Sequence, residues 1–313
     1  MNQLSLSAIL ALGIFLLLAC QPPVATTQRP LDFHGDEPSV IYNHDDRIDA
    51  SSIGNNLKIH KLSMATAVLF DHSKMKEKRL RSIGESFFFC DSERFLDQPK
   101  LGFCSGVLID SQTVLTAGHC VDNLFNGQCQ YGDCPDDRDF CANTRFAFGW
   151  GLKQSLWPLP KSQIYHCSRI EKINYRIQQR GWDYALIKLD RPVVGVTPVS
   201  LAQTEAQVGQ AVISVSHPLG MPQKISIGSV IAEDMSPNFF RSDVDTFRGS
   251  SGSPLFSEQG ELIGLLSQGS EDFEEEDVIA SRRTNQCVPI KRCTHQTCFG
   301  ERFFKASLIE LPR

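Results

Sequence analysis

From about residue 60 onward the chain is divided into short apolar runs separated by turn residues. They are "ATAVLF", "SGVLID", "TVLTAG", "YALIKL", "AVISVS", "KISIGSVI" and "ELIGLLS". Each has the length of a strand, is rich in Val, Ile and Leu, and is bounded by Gly, Pro, Asp or Ser. Many short strands with few helices predict an all-β sandwich or barrel. Two charged stretches, "KMKEKRLRS" (74–82) and "EKINYRIQQR" (171–180), are the helix candidates, both expected on the solvated surface.

At 313 residues the chain has enough material for one large domain or two modest ones. Its net charge of -5 carries no basic footprint for nucleic acid and disfavours an anionic membrane by charge alone.

The N-terminus carries a different signal. "AILALGIFLLLAC" has the length of a signal-peptide core and ends in Leu17-Leu18-Ala19-Cys20, which resembles a bacterial lipobox. That resemblance implies export and lipidation of Cys20, with a periplasmic or outer-membrane location. An ordinary secretory signal is the alternative, since "MNQLSLS" has no Lys or Arg. Residues 21–39, rich in Pro and Thr, read as a tether or propeptide.

Setting Cys20 aside leaves ten of the 11 cysteines, an even number that suits up to five disulfides in an exported chain. The tail "CVPIKRCTHQTC" with His295 does not have the paired spacing of structural zinc, so no metal is expected there. The acidic run Glu271 to Asp277 reads as a solvated loop, with a calcium site as the alternative.

Serine chemistry requires a base for the hydroxyl proton and a carboxylate to orient that base. Within "CSGVLIDSQTVLTAGHC", His119 follows a strand and lies between Gly118 and Cys120. Cys104 and Cys120 can close a loop around the strands that deliver it, worth on the order of 3 kcal/mol. "WDYALIKL" carries Asp183 at the start of a strand, and "TFRGSSGSPLF" packs three serines between glycines and a proline.

These three segments, in this order, resemble the histidine, aspartate and nucleophile motifs of the trypsin/chymotrypsin family. The resemblance implies two packed six-stranded antiparallel β-barrels: residues 60–195 bringing His119 and Asp183, and residues 196–313 bringing Ser251 and a Cys-rich tail. Residues 1–20 would be the signal peptide and 21–59 the tether and N-terminal segment. It implies peptide-bond hydrolysis with Ser251 as nucleophile, His119 as general base and Asp183 as its orienter. It also implies an oxyanion hole from the Gly249 and Ser251 N–H groups, the Cys104–Cys120 disulfide, and no cofactor. Partners would be protein or peptide substrates of a monomer.

Ser250 stands where trypsin-like zymogens have Asp. With Ser253, and with "VIYNHDDR" from Val40 resembling the start of a mature chain, this points to the bacterial glutamyl endopeptidase-like branch and to cleavage near Ser39–Val40. For the specificity pocket the resemblance implies Asp245, Thr246, Ser267, Gln268 and Gly269. Asp245, six residues before the nucleophile, would either pair with Arg or Lys of a substrate or be solvated or bonded internally. Leu266 stands where glutamate-specific relatives have His. Two rival readings are an α/β-hydrolase, which the Ser253 position and the residue order oppose, and a catalytically silent homologue serving as a surface binding module.

Overall fold

The computed structural model describes residues 41–42, 44–122, 138–152, 157–176, 181–269, 272, 286–294 and 297–312. All lie in the compact unit Asp36–Arg313. The signal segment with Cys20, Val40, and the loop with Cys129 and Cys134 lie outside the described residues.

Two short strands, β1 (Ile41–Tyr42) and β2 (Ile48–Asp49), open the described chain. Helix α1 (Leu57–Ala65) follows, capped by the Asn56 side chain accepting from Ile59 N–H. The first barrel is then built from β3 (Thr66–Asp71), β4 (Cys104–Leu108), β5 (Thr113–Thr116), β6 (Thr144–Phe148), β7 (Ile164–Arg176) and β8 (Trp182–Leu189). It closes in the order β3-β4-β5-β8-β7-β6 through antiparallel pairs. Three short helices decorate it: α2 (Ile83–Phe87), α3 (Gly118–Asp122) and α4 (Arg138–Asn143).

The second barrel uses β9 (Ala211–Ser216), β10 (Lys224–Glu233), β11 (Phe239–Ser242), β12 (Pro254–Ser257) and β13 (Leu262–Gln268). Past β14 (Arg292–Cys293), β15 (Glu301–Lys305) completes it. Its sheet runs β11-β15-β13-β12-β9-β10, and the β10–β11 pairing closes the circle. The fold is therefore two six-stranded antiparallel barrels with few helices.

Strand alternation explains how the barrels meet. In β8, Ala185, Ile187 and Leu189 face the core of the first barrel, with Leu69, Val114 and Phe146. Tyr184 and Leu186 face the other way and join Val215, Phe239, Leu265 and Phe304 of the second barrel. Successive residues of a strand point to opposite faces, so one strand serves both the barrel interior and the seam. Each such buried aliphatic or aromatic side chain contributes about 2 kcal/mol.

Neither helix candidate forms as expected. Only His72–Lys76 makes a short 3-10 turn in the first stretch, and α2 begins later, at Ile83, behind a Ser82/Glu85 capping box. Five like charges on nine residues with no apolar stripe cannot carry the cost of helix nucleation. In the second stretch residues 171–176 continue β7, because pairing with β8 (Tyr175 opposite Asp183) satisfies their backbone; 177–180 lie outside the described residues.

The Cys-rich tail is built into the second barrel. Its last part, "ERFFK", is an integral strand between β11 and β13. Cys287 bonds Cys90, Cys293 bonds Cys298, and Cys141 bonds Cys167. β1 lies parallel to β14, so the tail clasps the N-terminal segment. Those bonds consume the thiols a zinc site would need; His295 lies outside the described residues.

Candidate active site

Strand β5 runs into α3, a single turn that carries His119, and the Cys104–Cys120 disulfide ties α3 to the start of β4. Asp183 enters from the neighbouring strand β8 and is fully buried. Its Oδ1 accepts the backbone N–H of His119 at 3.0 Å, and its Oδ2 lies 2.8 Å from His119 Nδ1. One carboxylate thus holds both the main chain and the ring of a single histidine. With the Nδ1 proton directed at Asp183, the ring keeps its lone pair on Nε2. His119 is 14% exposed, so the ring reaches the surface while its partner does not.

The nucleophile segment reaches the same place from the second barrel. The Ser251 carbonyl accepts Ser105 N–H at 2.8 Å and lies 3.6 Å from Cys120 Sγ, next to His119 in the chain. The hydroxyl of Ser105 donates to Gly249 O at 3.0 Å and accepts His217 N–H at 3.1 Å. Gly252 has φ +77°, and a Cβ there would lie 2.2 Å from Thr116 Oγ1 and 2.4 Å from Ser105 O. Only glycine permits that approach.

The backbone donors of this turn can be accounted for one by one. Phe247 N–H meets Ser250 Oγ and Arg248 N–H meets Asp272 Oδ2. Ser250 N–H goes to Phe247 O, Gly252 N–H to Leu266 O, and Ser253 N–H to Ser250 O. Gly249 and Ser251 are the two whose N–H groups have no acceptor among the described residues. Gly249, at φ +89°, packs within 3.2 Å of Leu219 N and 3.1 Å of His217 O where its Cβ would stand. Two unused backbone donors flank Ser250 in a turn whose other N–H groups, from Phe247 to Ser253, are all spent.

Around the expected pocket the picture is more detailed than the sequence allowed. Asp245 is buried, with Oδ1 accepting Tyr42 N–H at 2.7 Å and Oδ2 accepting Asp46 N–H at 3.2 Å. Of the two readings of Asp245, the geometry is that of internal bonding. Burial pushes its carboxyl up to about 7, aided by the charge of Asp46. Thr246 donates its hydroxyl to Glu301 at 2.6 Å, both side chains being fully buried. Ser267 turns its hydroxyl onto Asp183 Oδ2. Gln268 accepts from Arg302 at 2.8 Å, and Gly269 follows at the end of β13. Of the acidic run expected to be solvated, Asp272 alone is described, and it is buried; its Oδ2 accepts the N–H of Arg248 at 2.9 Å and its backbone carbonyl accepts the N–H of Lys291 at 2.7 Å.

Sequence reasoning missed Ser105, Asp272 and Glu301. Ser105 had a local signal, its position directly after Cys104. Glu301 lay in a tail with no readable strand pattern. Cys104, His119 and Cys120 bring three ligating atoms within 4.8 Å of one another, but the two sulfurs are bonded to each other and offer no thiolate to a metal.

Part of the chain is similar to known serine endoproteases. A "probable periplasmic serine endoprotease DegP-like" of Hahella chejuensis is 35% identical over 95 residues, covering 28% of this chain and 19% of the relative. The "periplasmic serine endoprotease DegP" of Salmonella typhimurium is 33% identical over 91 residues, 26% of this chain and 19% of that protein. The similarity thus spans about a fifth of the length of these relatives. A solved Glu endopeptidase in complex with MPD superposes with a TM-score of 0.49 at 17% identity, covering 86% of this chain and 94% of that one. The family profile described as "trypsin-like peptidase domain" matches residues 104–265, more than half of the chain. The chain belongs to the trypsin-like peptidase domain family, and its two barrels are those of the trypsin/chymotrypsin fold.

Proposed function

We propose that the protein is an exported endopeptidase that hydrolyses peptide bonds through a Ser251–His119–Asp183 triad and an acyl-enzyme. One observation carries this reading: the two unused N–H groups of Gly249 and Ser251 sit in the turn that is bonded to Ser105 and packed on Cys120, beside the His119–Asp183 pair. Ser251 Oγ attacks the scissile carbonyl carbon while its proton passes to His119 Nε2. The carbonyl oxygen takes up negative charge between the Gly249 and Ser251 N–H groups, a donor pair each of whose members is worth about 3 kcal/mol in the transition state. His119 then gives its proton to the leaving nitrogen, the C–N bond breaks, and the acyl group remains on Ser251. Water repeats the cycle with His119 as base and frees the serine.

The same proposal includes a preference for Arg or Lys at the residue whose carbonyl is attacked, with Thr246, Ser267, Gln268 and Gly269 along the pocket. Asp245 contributes from beneath, by holding Tyr42 and Asp46 of the N-terminal segment. Export is supported by the apolar N-terminal run, by four disulfides among the described residues, and by relatives named as periplasmic. Lipidation of Cys20, and cleavage near Ser39–Val40 to release a monomeric protease, complete the reading.

A mixed peptide library incubated with wild type and with Ser251→Ala tests it. Cuts after Arg or Lys that vanish in the variant are expected. No cuts from wild-type protein of verified intact mass would overturn the proteolytic reading in favour of a binding module.

A further inference from the structure

In a trans peptide the C=O of one residue and the N–H of the next lie in one plane and point opposite ways. The direction of the Gly249 N–H is therefore set by the Arg248 carbonyl. That carbonyl accepts the N–H of Leu219, so the Gly249 N–H points away from Leu219. The N–H of Arg248 is held as well. Asp272, 24 residues further along the chain, accepts it on Oδ2 at 2.9 Å. The two peptides that flank Arg248 are thus fixed, one by each partner.

Each partner is held in a state that folding alone disfavours. Leu219 has φ +52°, in the left-handed region that a leucine rarely takes. Its loop is anchored on several sides: Gly220 O accepts Leu101 N–H at 2.8 Å, and His217 N–H donates to Ser105 Oγ at 3.1 Å. The Leu219 side chain packs in one apolar cluster with Met221 and Phe247, the residue before Arg248. Asp272 is 1% exposed, and its Oδ1 is buried with no hydrogen-bond partner among the described residues. A buried carboxyl with one oxygen unpartnered is costly. Burial, and after it the charge of Glu301, pushes this carboxyl well above the usual carboxylate range, while the bond from Arg248 opposes the rise. Strain and an unmet polar group converge here on one residue of a reactive turn, where position counts for more than stability.

We propose that Asp272 is a positioning residue for the oxyanion donors: it grips the N–H of Arg248 while Leu219 grips the C=O, and together they turn the Gly249 N–H toward the substrate carbonyl. This rests on the proteolytic reading above and adds to it a side chain that touches no substrate. Asp272 acts only through the backbone of Arg248, so any acceptor of the same reach serves. Its own place is set by the tail, where Lys291 N–H donates to its carbonyl at 2.7 Å. Without Asp272 the Phe247–Arg248 peptide loses its anchor, and the Arg248–Gly249 peptide is held from one end alone.

The test compares wild type, Asp272→Ala and Asp272→Asn on one peptide amide, and on inhibition by the matching peptide aldehyde and peptide alcohol. With the aldehyde, Ser251 Oγ bonds to the carbonyl carbon, its proton passes to His119, and the former carbonyl oxygen carries negative charge toward the two N–H groups. The alcohol has no such oxygen. In Asp272→Ala kcat should fall about thirtyfold, less than the roughly 10²–10³-fold loss that follows outright removal of one oxyanion donor. Aldehyde affinity should fall with it, while KM and alcohol affinity stay as in wild type. Asp272→Asn keeps an acceptor oxygen for Arg248 N–H and should remain within about threefold of wild type. An unchanged kcat in Asp272→Ala, an equal weakening of aldehyde and alcohol, or an Asp272→Asn as impaired as Asp272→Ala overturns the assignment alone. A wild type that cuts no peptide and takes no fluorophosphonate overturns the proteolytic reading and this assignment with it. Should Asp272→Ala not fold, amide hydrogen exchange in wild type decides: Arg248 N–H should exchange slowly and Gly249 N–H fast, and equal rates overturn the proposal.

Discussion

The hydroxyl of Ser267 donates to Asp183 Oδ2, the same carboxylate oxygen that lies 2.8 Å from His119 Nδ1. Ser267 belongs to β13 of the second barrel and Asp183 to β8 of the first. The carboxylate that orients the histidine is therefore also held from across the seam. Ser267→Ala leaves Asp183 with its two bonds to His119 and removes the third. We expect kcat to fall about tenfold with KM little changed, against about 10⁴-fold for Asp183→Asn, which holds the wrong tautomer. Steady-state kinetics on one peptide amide decides it; an equal loss in the two variants would contradict the ranking.

Ser105 is the second cross-barrel residue. Its N–H, hydroxyl hydrogen and hydroxyl lone pair reach Ser251 O, Gly249 O and His217 N–H respectively. Ser105→Ala keeps the first of these and leaves a buried N–H and C=O without partners. A loss of about 1–3 kcal/mol in stability is expected, with a lower kcat because Gly249 O no longer fixes the turn. Chemical denaturation and kinetics on the same preparation check both; unchanged values would show that the contacts are incidental.

Much of this was legible in the sequence. The seven apolar runs all became strands, because alternating and fully buried Val, Ile and Leu leave little choice once turn residues bound them. Short local motifs singled out His119 and Asp183, which the structure pairs, and the Ser251 turn that packs beside them. What stayed hidden depends on pairing between distant segments. "EKINYRIQQR" has a helical look, yet its first six residues lie along β8. "LKIHKLSMA" became α1 on the strength of an Asn56 cap and of Ile59, Leu62 and Ala65 buried in the seam, a pattern present in the sequence but masked by its lysines. The internal bonding of Asp245 required Tyr42 to arrive from 203 residues away.

That clasp has a pH signature. Burial raises the Asp245 carboxyl to about 7, whereas an unfolded Asp titrates near 3.9. Between these values the folded chain holds a proton that the unfolded chain has released. Its contribution to stability is therefore fully present below about pH 4 and is lost as pH rises to about 7. Asp245→Asn cannot titrate, so its melting temperature relative to wild type should rise between pH 5 and pH 8, on top of any constant cost. A difference that does not move with pH would contradict the burial argument.

Gly252→Ala tests the packing of the nucleophile turn on the first barrel. The new methyl would stand 2.2 Å from Thr116 Oγ1 and 2.4 Å from Ser105 O, at a φ of +77°. Both neighbours belong to paired strands, and the Thr116 hydroxyl is bonded to Ser105 O, so the cost is of the order of several kcal/mol. We expect a lowered melting temperature and loss of activity together; a variant with wild-type stability would mean that the barrels are not held at this separation.

The account rests on Ser251 being a nucleophile activated by His119. The most direct measurement is the rate and site of labelling by a fluorophosphonate, with the adduct located by peptide mass spectrometry. The account predicts one adduct per chain, on Ser251, absent in Ser251→Ala and slowed by orders of magnitude in His119→Ala. An unlabelled wild-type protein, or an adduct on any other serine, would contradict it.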